Sequence, residues 1–187
     1  MKILALFITL FLSFNMFAKG INVFGIGVYD IKFDGSEDKS TSDFRYERRF
    51  DKSIFDIGPK EDNFFFLKPF IGIEYTGDDA FYLLSGIYLE DELGQLFTGE
   101  SGKKLYFSPS FGVGYYNNGS GKNLGNDLQF RTTLEFNYKL KNNNRIGISL
   151  GHISNANLGD KNPGAEIISL NYLSLIHISE PTRQDRI

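Results

Sequence analysis

Toward its C-terminal end the chain reads Arg145-Ile146-Gly147-Ile148-Ser149-Leu150-Gly151-His152-Ile153-Ser154-Asn155, a histidine and a serine two residues apart in an alternating run. In an extended strand, side chains two apart share a face with their Cα atoms roughly 6.5–7 Å apart, within reach of an imidazole–hydroxyl hydrogen bond. A second run, Glu166-Ile167-Ile168-Ser169-Leu170-Asn171-Tyr172, opens on a carboxylate. Hydroxyl, base and carboxylate form the nucleophile, base and orienter set of ester and amide hydrolases. His152 would take the Ser154 proton, and Glu166 would hold the imidazole tautomer and stabilise the imidazolium. Most His-x-Ser triplets are only polar residues at the edge of a strand. Here His152 is the sole histidine before residue 177, and the three polar groups fall on a parity that is otherwise apolar, where such groups are costly.

The elements that must position these residues follow from composition and alternation. The chain has 187 residues, 41% hydrophobic, and no cysteine, which bounds it to one domain or little more and excludes a disulfide scaffold. A net charge of −3 leaves no basic excess for nucleic acid. With 19 Phe, 10 Tyr and 20 Gly the chain is rich in strand formers and in the residue that turns need, so an all-β fold is expected. A mean hydropathy of −0.23 argues against a bundle of membrane helices but not against a membrane barrel, whose strands alternate polar and apolar residues.

Lys2 followed by the apolar run Ile3 to Leu12 and then Ser13 to Ala18 has the order of a signal peptide, so residues 1–18 are expected to direct export and be removed. At the other end, Leu173 to Arg183 looks like the translation of a transposase adapter used to prepare sequencing libraries. Residues 173–187 are therefore expected to be a non-native tail, with the native last strand cut short near Tyr172. Between these limits, residues 19–172 form one domain, with strands expected near 22–33, 44–57, 63–76, 80–90, 103–117, 126–140, 144–155 and 164–172. The second is the weakest, because Arg45 to Arg49 is heavily charged.

The later strands divide by parity. Leu128, Phe130, Thr132, Leu134, Phe136 and Tyr138 oppose Gln129, Arg131, Thr133, Glu135, Asn137 and Lys139. A soluble sandwich with its apolar face inward would alternate in the same way. Strand length, export and a count of eight favour an eight-stranded antiparallel outer-membrane β-barrel with lipid outside and a polar interior. Asn117 to Asn126 and Asn155 to Ala165 then become outer loops, Lys141 to Asn144 a tight periplasmic turn, and Asp91 to Lys103 a long one.

At this point a resemblance becomes specific. His152-Ile153-Ser154-Asn155-Ala156 followed by Asn162-Pro163-Gly164-Ala165-Glu166 resembles the signature of the PagL-type lipid A 3-O-deacylases, and the pattern from Ser108 to Tyr172 is similar to that family as well. The resemblance implies His152 as base, Ser154 as nucleophile and Glu166 as orienter. It implies Asn162 as an oxyanion donor, and it implies Phe130 and Asn155 as substrate-contact candidates, although a lipid-facing aromatic and a lumen-facing structural amide are equally open readings of those two. Asn157 stands where some relatives have a glycine whose backbone N–H is a second oxyanion candidate; asparagine tolerates unusual backbone angles better than most residues. The implied function is a serine esterase of the Gram-negative outer membrane, with no metal and no organic cofactor. Its expected partners are lipid A or lipopolysaccharide, the surrounding lipid and a second copy of the chain. The competing reading is a non-catalytic small barrel with a binding or structural role.

Overall fold

The computed structural model describes residues 19–32, 40–57, 65–93 and 104–176. The expected signal peptide and the tail beyond Ile176 lie outside them. Strand β1 is Gly20–Tyr29; β2 is Thr41–Phe50, continued by Phe55–Ile57; β3 is Phe65–Thr76; β4 is Phe81–Tyr88, continued by Asp91–Glu92. Strand β5 is Leu105–Phe107 with Ser110–Asn117, β6 is Leu128–Lys139, β7 is Arg145–Ser154 and β8 is Ala165–Ile176. Each pairs antiparallel with the next, and β1 pairs with β8, so the sheet closes on itself as an eight-stranded barrel without an open edge.

Two of the three interruptions, those in β5 and β2, have local causes. In β5 the register with β6 is the same on either side of Ser108-Pro109, because proline lacks the N–H that the ladder needs at one position only. In β2 the register against β3 changes between Arg49↔Phe70 and Phe55↔Leu67, so the chain bulges over residues 51–54.

The charged stretch that made β2 the weakest expectation is what fills the barrel. Arg45, Glu47 and Arg49 alternate inward and are buried with Glu74, Arg131 and Glu135. Arg49 Nη1 donates to Glu135 Oε1 at 2.7 Å and Arg131 Nη1 to Glu74 Oε2 at 2.6 Å, while Glu47 accepts from Arg49 and from Arg131. Around them Asn137 and Asn171 also donate to Glu135. Buried charges persist only when paired and hydrogen-bonded, and the network supplies that condition in place of water.

The outer face is the reverse. Phe24, Ile26, Phe44, Ile73, Leu83, Phe111, Leu134, Phe136, Ile148 and Leu170 are exposed in a continuous belt. An apolar belt of this extent is incompatible with water and matches hydrocarbon. Tyr75 and Tyr115 stand toward one rim, and Tyr138 and Tyr172 toward the other, as interfacial girdles do. The molecule is an outer-membrane barrel.

The eighth strand differs from expectation. Rather than ending near Tyr172 it runs to Ile176, and Leu173 to Ile176 pair with Val23 to Gly20. Leu173 is fully buried against Ile21 and Val23, with Leu175 packed on them. The reason is parity: Leu173 and Leu175 continue the inward row, so four residues of the adapter-like segment complete the closing seam.

Candidate active site

His152 lies in β7 directly opposite Glu166 in β8. Their side chains meet across the ladder, His152 Nδ1 to Glu166 Oε1 at 2.8 Å, with the two side chains 49% and 37% exposed on the lipid-facing side. A carboxylate accepts from Nδ1–H, which fixes the neutral tautomer and leaves Nε2 as the basic nitrogen. Ser154, two residues on and partly buried, shares the face and lies opposite Phe130 of β6. Among the described residues His152 and Ser154 make no hydrogen bond to each other; the strand spacing alone brings the two together. Catalytic hydrogen bonds in empty sites often tighten only around substrate.

Immediately after Ser154 the chain reverses. Ala156 and Asn157 have φ of 52° and 62°, and Leu158 N donates to Asn155 O at 3.0 Å, the pattern of a type I′ turn. Asn157 thus adopts the left-handed geometry a glycine would, as its residue type allows. It is exposed at the tip of this turn.

Asn155 is fully buried. Its Nδ2 donates to Leu124 O and to Lys161 O, both at 2.7 Å, tying the 118–127 loop to the 155–164 loop. Gly125, at φ 85°, lets those loops touch backbone to backbone, since a side chain there would collide with the Lys161 carbonyl. The expected role of Asn155 as a substrate contact is therefore corrected: its amide has no free surface, and it braces the turn beside Ser154. Its backbone N–H donates to Asn162 Oδ1 at 3.0 Å. Asn162 is half-buried, and its Nδ2 makes no hydrogen bond among the described residues.

Phe130 is half-buried and stacks on Phe111 of β5, centroids 6.0 Å apart with planes 18° from parallel. Thr132 of β6 pairs with His152 on the side opposite Glu166 and is exposed. Alternation alone places Thr132 only in the apolar row; register counted back through the Lys141 to Asn144 turn sets it beside the histidine. Toward the other rim the outer face continues through Leu150 and Ile168 into a shallow apolar groove of about 700 Å³. Ile148, Leu170, Phe136 and Tyr172 line it, with Gly147 and Gly25 at its floor.

The sequence pattern of the lipid A 3-O-deacylase (PagL) family matches residues 92–173, a segment that contains all seven candidate residues. The chain is 31% identical over 74 residues to the lipid A deacylase PagL of Bordetella bronchiseptica, which covers 38% of this chain and 42% of the relative. The chain thus matches about two fifths of that relative's length. In three dimensions it is similar to the crystal structure of the outer membrane enzyme PagL, with a TM-score of 0.60 and 23% identity over 83% of this chain and 99% of the other. A de novo designed transmembrane β-barrel aligns at a TM-score of 0.52 and 10% identity, over 85% and 96% of the two chains. The resemblance to the PagL-type family is borne out, and so is the eight-stranded barrel.

Proposed function

We propose that this barrel is a serine esterase that removes the 3-O-linked acyl chain of lipid A. The observation that carries the reading is the His152 Nδ1–Glu166 Oε1 pair at 2.8 Å on the lipid-facing side of β7 and β8, with Ser154 two residues along the same face. A soluble substrate would call for such a site in the lumen or the loops. A substrate held in the bilayer calls for it on the outer wall near the rim, where ester groups meet water.

In this mechanism Nε2 of His152 takes the Ser154 proton as Oγ attacks the ester carbonyl, and Glu166 stabilises the imidazolium. The developing alkoxide accepts from Asn162 Nδ2, whose amide is oriented because the Asn155 N–H must donate to the oxygen end. Collapse of the intermediate breaks the ester bond, and the imidazolium returns its proton to the departing sugar hydroxyl. Water, deprotonated by His152, then releases the fatty acid from Ser154. Phe130, stacked on Phe111, and the apolar wall below supply contact for the acyl chain.

The test is mass spectrometry of lipid A from cells producing the wild-type chain, Ser154→Ala or His152→Asn. Loss of one 3-O-linked chain with the wild type alone is expected. Identical lipid A in all three would favour the non-catalytic barrel.

A further inference from the structure

We infer that Gly164 is a positioning residue for the His152 imidazole, an inference that rests on the esterase reading above. Gly164 is buried and has a φ of 59°. A Cβ built on it would lie 3.0 Å from His152 Cε1, tighter than nine in ten such contacts, and 3.7 Å from Nε2, an ordinary van der Waals distance. It would also lie 3.4 Å from Ile153 O. The absent side chain therefore faces the edge of the ring that must accept the Ser154 proton and return it to the leaving group.

The ring is half exposed toward lipid, and its displacement into that space is opposed by its hydrogen-bond partner. Its Nδ1 is held by Glu166, two residues beyond Gly164. Gly164 itself has little freedom to retreat, because the next residue, Ala165, is buried and paired with Ile153 in the β7–β8 ladder. Glu166 thus fixes one edge of the imidazole while the bare backbone of Gly164 sets the limit of the other. A side chain at 164 therefore presses the ring away from its present place, against the 2.8 Å contact with Glu166. Misplacement of a reacting group by about 1 Å can lower rates by about 10²-fold.

The experiment compares refolded wild type, Gly164→Ala, Gly164→Asn and Ser154→Ala, each in detergent micelles and each with His177→Gln so that His152 gives the single histidine resonance. Asparagine occupies the left-handed region at low cost, so Gly164→Asn separates ring contact from backbone strain. Both Gly164 variants should lose kcat by about 10²-fold with KM little changed, and the ¹³Cε1–H signal of His152 should move in both. Wild-type kcat, or lost activity with an unmoved signal, overturns the inference. Activity in Ser154→Ala overturns the esterase reading itself; an inactive Ser154→Ala beside fully active Gly164 variants overturns only the role of Gly164. If neither Gly164 variant folds, the wild type decides. A nuclear Overhauser contact between Gly164 Hα and His152 Hε1 supports the inference, and its absence overturns it.

Discussion

The backbone N–H of Asn155 donates to Oδ1 of Asn162 at 3.0 Å, across the loop that joins the strand bearing Ser154 to the strand bearing Glu166. Because a backbone N–H can only donate, the bond assigns the two ends of the Asn162 amide and makes Nδ2 its outward donor. Asn155 is itself pinned by two carbonyls from different loops. Donor orientation is thus set by loop packing and not by the strand ladder that sets the His152–Glu166 pair.

Replacing Asn162 by alanine should lower turnover by roughly 10²–10³-fold, as loss of one oxyanion donor does. Asn162→Asp keeps an acceptor for the Asn155 N–H but removes the donor, so it should be at least as severe. Steady-state release of fatty acid from lipid A in micelles measures both, and an active Asn162→Asp would exclude Nδ2 as the donor.

Ser154→Ala and His152→Asn should remove nearly all deacylation while the barrel still shows heat-modifiable migration and a β-type circular dichroism spectrum. Neither side chain is part of the lumen network or the closing seam. Glu166→Ala should leave more residual rate, because nucleophile and base persist and effects within such a unit are non-additive. A Glu166→Ala variant less active than Ser154→Ala would contradict the orienter role.

How far the sequence could be read follows from which interactions obey a local period. The lipid-facing alternation and the positions of His152, Ser154 and Glu166 on one parity are visible because strand geometry repeats every two residues. The same rule is least informative in β2, where Arg45, Glu47 and Arg49 suit a membrane strand only through their partners Arg131 and Glu135 on another strand. Those pairings span up to 90 residues of sequence, and no periodicity encodes them. The role of Thr132 is hidden from alternation for a related reason, since its place beside His152 depends on register. The bracing by Asn155 and the contact of Gly164 with the imidazole arise from loops, whose path is set by tertiary contacts.

The lumen network makes a stability prediction. Glu135 accepts from Arg45, Arg49, Asn137 and Asn171, so Glu135→Leu leaves buried cations short of their counter-charge and should destabilise by about 3–5 kcal/mol. The exposed Lys68–Asp51 pair, 2.7 Å apart, is the contrast. Asp51→Asn should change stability by less than about 1 kcal/mol. Urea titration of the refolded proteins in micelles compares them, and equal midpoints would mean that the network carries no more than a surface pair.

The closing seam makes the last prediction. Gly20 to Val23 pair with Ile176 to Leu173, and Leu173 packs fully buried on Ile21 and Val23 inside the barrel. A chain stopped after Tyr172 would leave four residues of β1 without ladder partners on their β8 side at the inner rim, and unpaired backbone in hydrocarbon costs several kcal/mol per group. It should therefore assemble poorly, whereas a chain stopped after Ile176 should assemble as well as the full chain. Replacing Leu173 to Ile176 by another alternating segment that keeps an apolar residue at 173 should restore assembly, because the seam requires pairing and inward parity more than these particular residues. The heat-modifiable fraction on a gel after refolding reads all three, and efficient assembly of the chain ending at Tyr172 would show that closure does not depend on these four residues.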